Sequence, residues 1–334
     1  MQMLKVATPI KFPQEQKPIL LVVIDTEEEF DWSRFDRTAT SVTAMRHIHR
    51  VQRIFDEYNI KPTYVVDYPV ATQSESIEPL KEIQDSGRGL IGAHLHPWVN
   101  PPHEEAVCER NSYPGNLPRH LEEGKIKTLT AAIESSFGQQ PTVYKAGRYG
   151  VGPNTASILE AGGYAVDVSV CPPFDYRGQE GPDFSRFPAA PYWFGEQQRL
   201  LEIPLTGAFV GWLRRVGHLL HGLVNQPALK GLRIPGILSR LGALDRLRLS
   251  PEGCSPQEHI ALTKALLQAG VRTFTWTFHS PSVVPGHTPY IQSDQDASRF
   301  HDAFRRYFDD FFGTLGGITM TPLALKRHVE EMGL

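Results

Sequence analysis

The chain has 334 residues, 40% hydrophobic and 21% charged, the balance of an ordinary soluble globular protein with length enough for a large core. Its 34 Lys and Arg against 37 Asp and Glu leave a net charge of −3, which argues against a whole-chain nucleic-acid binder. The three cysteines, Cys108, Cys171 and Cys254, are too scattered for a disulfide framework or a cysteine zinc site. No apolar run is long enough to span a bilayer, and the Pro- and Gln-rich start lacks a signal-peptide core, so a cytoplasmic location is expected.

Seven short apolar or β-rich runs follow in chain order: 19–24, 63–67, 89–94, 142–146, 164–170, 200–206 and 272–279. Amphipathic stretches separate most of them. Between the first two, Val42, Met45, Ile48, Val51, Ile54 and Phe55 recur with helical spacing. Near-continuous apolar strands alternating with helices predict a parallel sheet buried on both sides. With no linker in view, residues 1–334 read as one closed or nearly closed β/α barrel with one large insertion.

In such barrels chemistry gathers at the C-terminal ends of the strands. The first run leads into five acids, Asp25, Glu27, Glu28, Glu29 and Asp31, and the second ends in Asp67. The third ends in His94 and His96, the fourth in Lys145 and Arg148, and the seventh in His279, while Asp167 and Glu202 mark the fifth and sixth. Residues i and i+2 of a strand point the same way, so His94 and His96 can reach one cation together with a carboxylate. Two imidazoles and a carboxylate with an open position suit catalytic zinc first, and the same N/O site can take nickel, cobalt, manganese or iron. His103 and Asp67 are weaker candidates for that ligand set.

The ordered set "DTEEEF", "GAHLHPW", "YKAGRYG", "GYAVDVSVCPPFDY", "LLEIPLTG" and "FTWTFHSPS" resembles the polysaccharide deacetylases, the NodB-homology family of carbohydrate esterases, over about residues 19 to 290. The resemblance implies a distorted (β/α)7 barrel, a divalent metal, and hydrolysis of an acetyl group on a saccharide, N-acetyl first. Asp25 matches the family's catalytic base, Glu27 its metal-binding acid, His94 its first metal histidine and His279 its general acid. Lys145 stands where the family has an arginine that orients the base. Two features depart from the pattern: Thr26 separates the acids, and Trp98 occupies the place of the second metal histidine, for which His96 is the substitute. A backbone N–H near Arg148 or Tyr149 is expected to serve the oxyanion, and Trp98 and Tyr149 to stack on sugar.

Residues 208–252 read as a helical cap on the barrel rim. Phe209, Trp212, Leu213 and Val216 begin one apolar face, and Leu238, Leu241 and Leu244 belong to a second. Seven Lys and Arg, Arg246 and Arg248 among them, outnumber the acids Asp245 and Glu252, which suits an anionic or lipid-linked saccharide or a membrane surface. The competing functions are a metal-dependent amidohydrolase of a small non-sugar substrate such as a cyclic ureide, and a catalytically silent carbohydrate-binding barrel.

Overall fold

The computed structural model describes residues 8–217, 220, 236, 238 and 240–334. The strands are β1 (Thr8–Pro9), β2 (Ile19–Thr26), β3 (Thr63–Val66), β4 (Leu90–Leu95), β5 (Val143–Ala146), β6 (Val166–Asp167), β7 (Tyr192–Phe194), β8 (Leu200–Glu202), β9 (Gly207–Val210), β10 (Asp245–Arg248), β11 (Thr273–His279) and β12 (Ile318–Thr319). Each of the seven expected runs therefore contains a strand, although the fifth and sixth are strand only over Val166–Asp167 and Leu200–Glu202. They join in the parallel order β11, β2, β3, β4, β5, β6, β8, and β7 and β1 extend the far edge antiparallel. The short β12 pairs with the start of β2.

The parallel sheet curls into a half-barrel, and two apolar layers follow from strand parity. One face carries Ile19, Leu21, Val23, Val65, Val143, Val166 and Leu201, closed by Leu325 and Val329 of α8 (Pro322–Glu331). The other carries Leu20, Val22, Ile24, Tyr64, Val66 and Tyr144 under the surrounding helices. Each fully buried aliphatic side chain contributes about 1.5–3 kcal/mol, so both faces hold the curl.

Those helices are α1 (His49–Glu57), α2 (Tyr68–Thr72), α3 (Ser74–Asp85), α4 (Arg119–Phe137), α5 (Thr155–Ala161), α6 (Pro256–Gln268) and α7 (Asp294–Phe308). The helical stripe expected after the first strand is buried as read, although residues 43–47 form a tight 3-10 turn before α1 begins. Ser255 with Glu258 and Ser293 with Asp296 form capping boxes that fix where α6 and α7 start.

Edges β11 and β8 do not pair directly. Chain between them fills the gap: Thr275 N–H donates to Thr206 Oγ1 at 2.7 Å, Thr277 N–H to Leu249 O at 3.2 Å, and Leu249 N–H to Thr206 O at 2.8 Å. The segment expected as a helical cap leaves and returns here as an antiparallel hairpin, Gly207–Val210 against Asp245–Arg248. The rest of the two expected helices lies mostly outside the described residues. No helix among the described residues is long and apolar enough to cross a membrane.

Candidate active site

The five acids after β2 divide by environment. Asp25 is the last inward residue of that strand, and Lys145 Nζ of β5 donates to its Oδ1. Lys145 is fully buried and also donates to Thr277 Oγ1 at 3.2 Å. Burial by itself pushes the Asp25 carboxyl up, but the Lys145 ammonium, by charge and hydrogen bond, leads the groups that outweigh it and hold it at about 2. It is ionised at any physiological pH.

Glu27 Oε2 lies 3.5 Å from His94 Nε2 and 3.4 Å from His96 Nε2. Strand β4 ends at Leu95, yet the next residue keeps the same heading, and both imidazoles converge on one carboxylate. His94 Nδ1–H donates to Lys145 O at 3.1 Å and His96 Nδ1–H to Glu28 Oε2 at 2.8 Å, which fixes both tautomers with Nε2 lone pairs toward Glu27. Burial lowers both histidines, His96 to about 4, so both are neutral.

This donor set fits a cation. Ligands about 2.0–2.1 Å from a tetrahedral zinc-sized ion stand about 3.3–3.4 Å apart, close to the spacing of these pairs. Donor atoms of Glu27, His94 and His96 all lie within 4.8 Å of one another. Glu27 Oε1 is buried and has no hydrogen-bond partner among the described residues. Burial, then Asp25, Glu28, Asp67 and Glu252, push its carboxyl far above the usual range, a cost that a bound cation removes.

Behind these three side chains stands a supporting row. Glu28 accepts from His96 and, at 2.8 Å, from Trp98 Nε1–H, while its N–H donates to Asp67 Oδ2 at 2.7 Å. Asp67 in turn caps α2 through Val70 N–H at 2.8 Å. Trp98, expected as a sugar platform, is instead 2% exposed and stacks on His96 at 4.2 Å between ring centroids. Its ring has no free face to offer; it positions Glu28 and His96. Asp67 belongs to this supporting row, and His103 is exposed. A Cβ on Gly147 would come within 2.6 Å of His96 Cδ2, so glycine lets the loop after β5 close on His96.

The remaining expected residues are spread more widely. His279, at the end of β11, has Nε2 3.6 Å from Asp25 Oδ2. Arg148 is committed to Ser112 Oγ at 2.6 Å and Glu109 Oε1 at 2.7 Å, so its side chain braces a loop. Arg148 and Tyr149 both adopt positive φ, 53° and 61°, a strained conformation of the kind that clusters at functional sites. Tyr149 remains half-buried at the rim, with Lys145 Nζ 5.5 Å from its ring centroid. Asp167 and Glu202 pair in register on the face opposite Val166 and Leu201, away from these groups. Glu29 and Asp31 are local braces: Glu29 accepts from Ser41, Thr43 and Ala44, and Asp31 from Ser33.

Sequence reasoning missed Glu252, Trp32 and Tyr290. Glu252 accepts His279 Nδ1–H at 2.7 Å. Trp32 meets the His279 imidazole edge-on at 4.6 Å and Tyr290 at 5.7 Å, giving the rim half-exposed aromatic rings that Trp98 does not provide. An aromatic beside the acidic run was the available signal for Trp32; nothing local marked Glu252.

No protein-family model matches the chain, and no curated protein matches it in sequence. Solved structures match it in fold. One from Mycobacterium smegmatis described as a polysaccharide deacetylase superposes with a TM-score of 0.55 at 16% identity, covering 98% of this chain and 96% of that one. Another so described, from Pseudomonas aeruginosa PAO1, gives 0.55 at 14% identity, covering 96% and 94%. PuuE allantoinase gives 0.55 at 13% identity, covering 96% and 93%. The chain therefore has the polysaccharide-deacetylase fold, a curled β/α half-barrel of the NodB-homology type.

Proposed function

We propose that the chain is a metal-dependent hydrolase that removes an acetyl group, N-acetyl first, from an amino-sugar-containing saccharide. The observation that carries this reading is the convergence of two separately tuned carboxylates: Asp25, ionised beside Lys145, and Glu27, stranded between two neutral imidazoles. Different environments mean different tasks.

Glu27, His94 and His96 would hold the divalent ion, zinc before nickel, cobalt, manganese or iron. When bound, such an ion lowers the pKa of a water to about 7 and polarises a carbonyl. Asp25 accepts the proton from the attacking water, and Lys145 keeps it anionic and aimed. His279 delivers a proton to the leaving nitrogen as the C–N bond breaks, with Glu252 fixing its Nδ1–H so that Nε2 faces the reacting groups. Backbone N–H groups at Arg148 and Tyr149 are the candidate oxyanion donors. The reading makes the protein an enzyme of carbohydrate metabolism, with peripheral membrane contact through 208–252 if the saccharide is lipid-linked.

The test is acetate release from N-acetylglucosamine oligomers by the metal-loaded chain, run beside allantoin. Release from the oligomers alone supports the proposal. Turnover of allantoin alone assigns the site to a ureide, and metal binding with no turnover of allantoin or of any acetylated saccharide, acidic ones included, makes it a silent barrel.

A further inference from the structure

Arg246 and Arg248 sit two positions apart on β10 and so project to one side of the hairpin. Both guanidinium groups lie on the same ring, Phe174, at 4.2 and 4.5 Å from its centroid. Arg248 donates through Nη1 to Tyr149 Oη at 2.7 Å and through Nη2 to Tyr176 Oη at 3.1 Å. Its Nε is buried with no hydrogen-bond partner among the described residues. Neither arginine has a carboxylate within ion-pair distance among the described residues. The nearby Asp175 is held by Arg177, at 2.8 Å.

Asp175 is near enough to act on Arg246 but is engaged by Arg177, so two like charges stacked on one ring and partly out of water share less than one carboxylate, an unfavourable arrangement unless something completes it. Their surroundings show what is missing. The donors left over are Arg248 Nε–H, the Arg246 guanidinium and the Tyr149 O–H, and no acceptor accompanies them among the described residues. Tyr149 also ties this group to the candidate active site. Its ring centroid lies 5.5 Å from Lys145 Nζ and 5.2 Å from Arg248 Cζ, so one tyrosine touches both the arginine pair and the partner of Asp25.

We infer that Arg246 and Arg248 form an anion subsite beside the hydrolytic centre, which takes a carboxylate or phosphoryl group carried by the saccharide. Guanidinium forks match the planar or tetrahedral oxygens of either group. The inference rests on the deacetylase reading only for where the scissile group sits. It narrows the substrate to an acidic saccharide, either a uronate or a sugar esterified to phosphate or pyrophosphate.

Calorimetric titration of the full, metal-loaded chain tests it, with inorganic phosphate, D-glucuronate and D-glucose as probes. At least one anion should bind, glucose should bind about tenfold or more weakly, and Arg248→Gln should weaken the anion by at least about tenfold, the usual size of one lost charged hydrogen bond. A preference for phosphate points to a phosphorylated sugar, and a preference for glucuronate to a uronate. Arg246→Gln, whose arginine makes no side-chain hydrogen bond among the described residues, carries the test if Arg248→Gln does not fold. Phosphate held equally by wild type and both variants binds at the metal instead, and that result overturns the subsite, as does glucose binding as well as glucuronate. The two readings fail separately. Arginine-dependent anion binding without acetate release from any acetylated saccharide keeps the subsite and sinks the deacetylase, and hydrolysis of neutral oligomers without anion binding does the reverse.

Discussion

Glu252 grips His279 twice, its Oε1 accepting the backbone N–H at 3.1 Å and its Oε2 accepting Nδ1–H at 2.7 Å. Ser282 Oγ donates to the same carboxylate at 2.6 Å, so its orientation is fixed from a third direction. The result is an imidazole whose ring plane and tautomer are set before substrate arrives. Glu252→Gln should keep the metal, lower kcat about 10–100-fold with little change in KM, and move the limb of the pH–rate profile assigned to the acid. Glu252→Asp should recover part of the loss. An unchanged kcat and pH profile would show that His279 needs no such partner.

The metal prediction follows from the donor geometry. The protein should hold about one divalent ion per chain, and His94→Ala, His96→Ala and Glu27→Gln should each deplete it, read by elemental analysis. His103 is exposed, so His103→Ala should retain the ion. Retention by the His96 variant together with loss in the His103 variant would reverse the ligand choice.

Asp25→Asn should leave the metal in place and lower turnover by about two to four orders of magnitude. It should also destabilise the fold by about 3–5 kcal/mol, because Lys145 would remain a fully buried cation with only Thr277 beside it. Adding Lys145→Met to Asp25→Asn should restore the denaturation midpoint but no activity, separating the charge pair's structural part from its chemical one. Loss of metal in Asp25→Asn and retention in Glu27→Gln would swap the roles of the two acids.

The strands were legible because they are buried on both faces, so that "ILLVVI" needs no alternation to be recognised. Asp25, His94, Lys145 and His279 were legible because inward residues at strand ends face the barrel mouth. Parity hid the rest. Asp167 and Glu202 also end strands, but they sit one residue out of phase with Val166 and Leu201 and face the other layer. Glu252 lies in an irregular loop and finds His279 only through the packing of the hairpin against β11. That hairpin has its strands about 35 residues apart, so neither half carries a turn signal that would reveal its partner. Trp98 follows the histidines as a rim aromatic would, and only the depth of Glu28 explains why its ring turns inward.

Glu122 on α4 gives a pH prediction outside the site. Burial pushes its carboxyl up to about 7 against the hydrogen bond from Thr155 Oγ1. The folded state binds this proton more tightly than the unfolded state does. That contribution to stability is therefore fully present below about pH 4.5 and is lost as pH rises to about 7. Glu122→Gln should match wild type near pH 4.5 and exceed it by about 3 kcal/mol at pH 8, in denaturant titrations at both pH values. A parallel loss at both would mean that the carboxyl is not protonated in the fold.

The basic insertion gives the last prediction. Its base is well defined: β9 and β10 pair over four residues each, and Leu213 N–H donates to Ala243 O at 2.9 Å, so the two ends meet. Replacing all of 208–252 would remove Arg246, Arg248 and Glu252 with it and would confuse substrate choice with chemistry. A graft of a short Gly/Ser loop between Leu213 and Ala243 keeps all three and deletes most of the expected cap, including Arg214, Arg215, Lys230, Arg233 and Arg240. Loops at this rim build the substrate site in β/α barrels, and this one is far longer than a strand-to-helix connection requires. If it selects the saccharide, the graft should keep its metal, raise KM for the natural saccharide, and spare a small acetylated chromogenic ester. Equal loss on both substrates, with unchanged circular dichroism, would assign the segment to support of the hairpin rather than to selection.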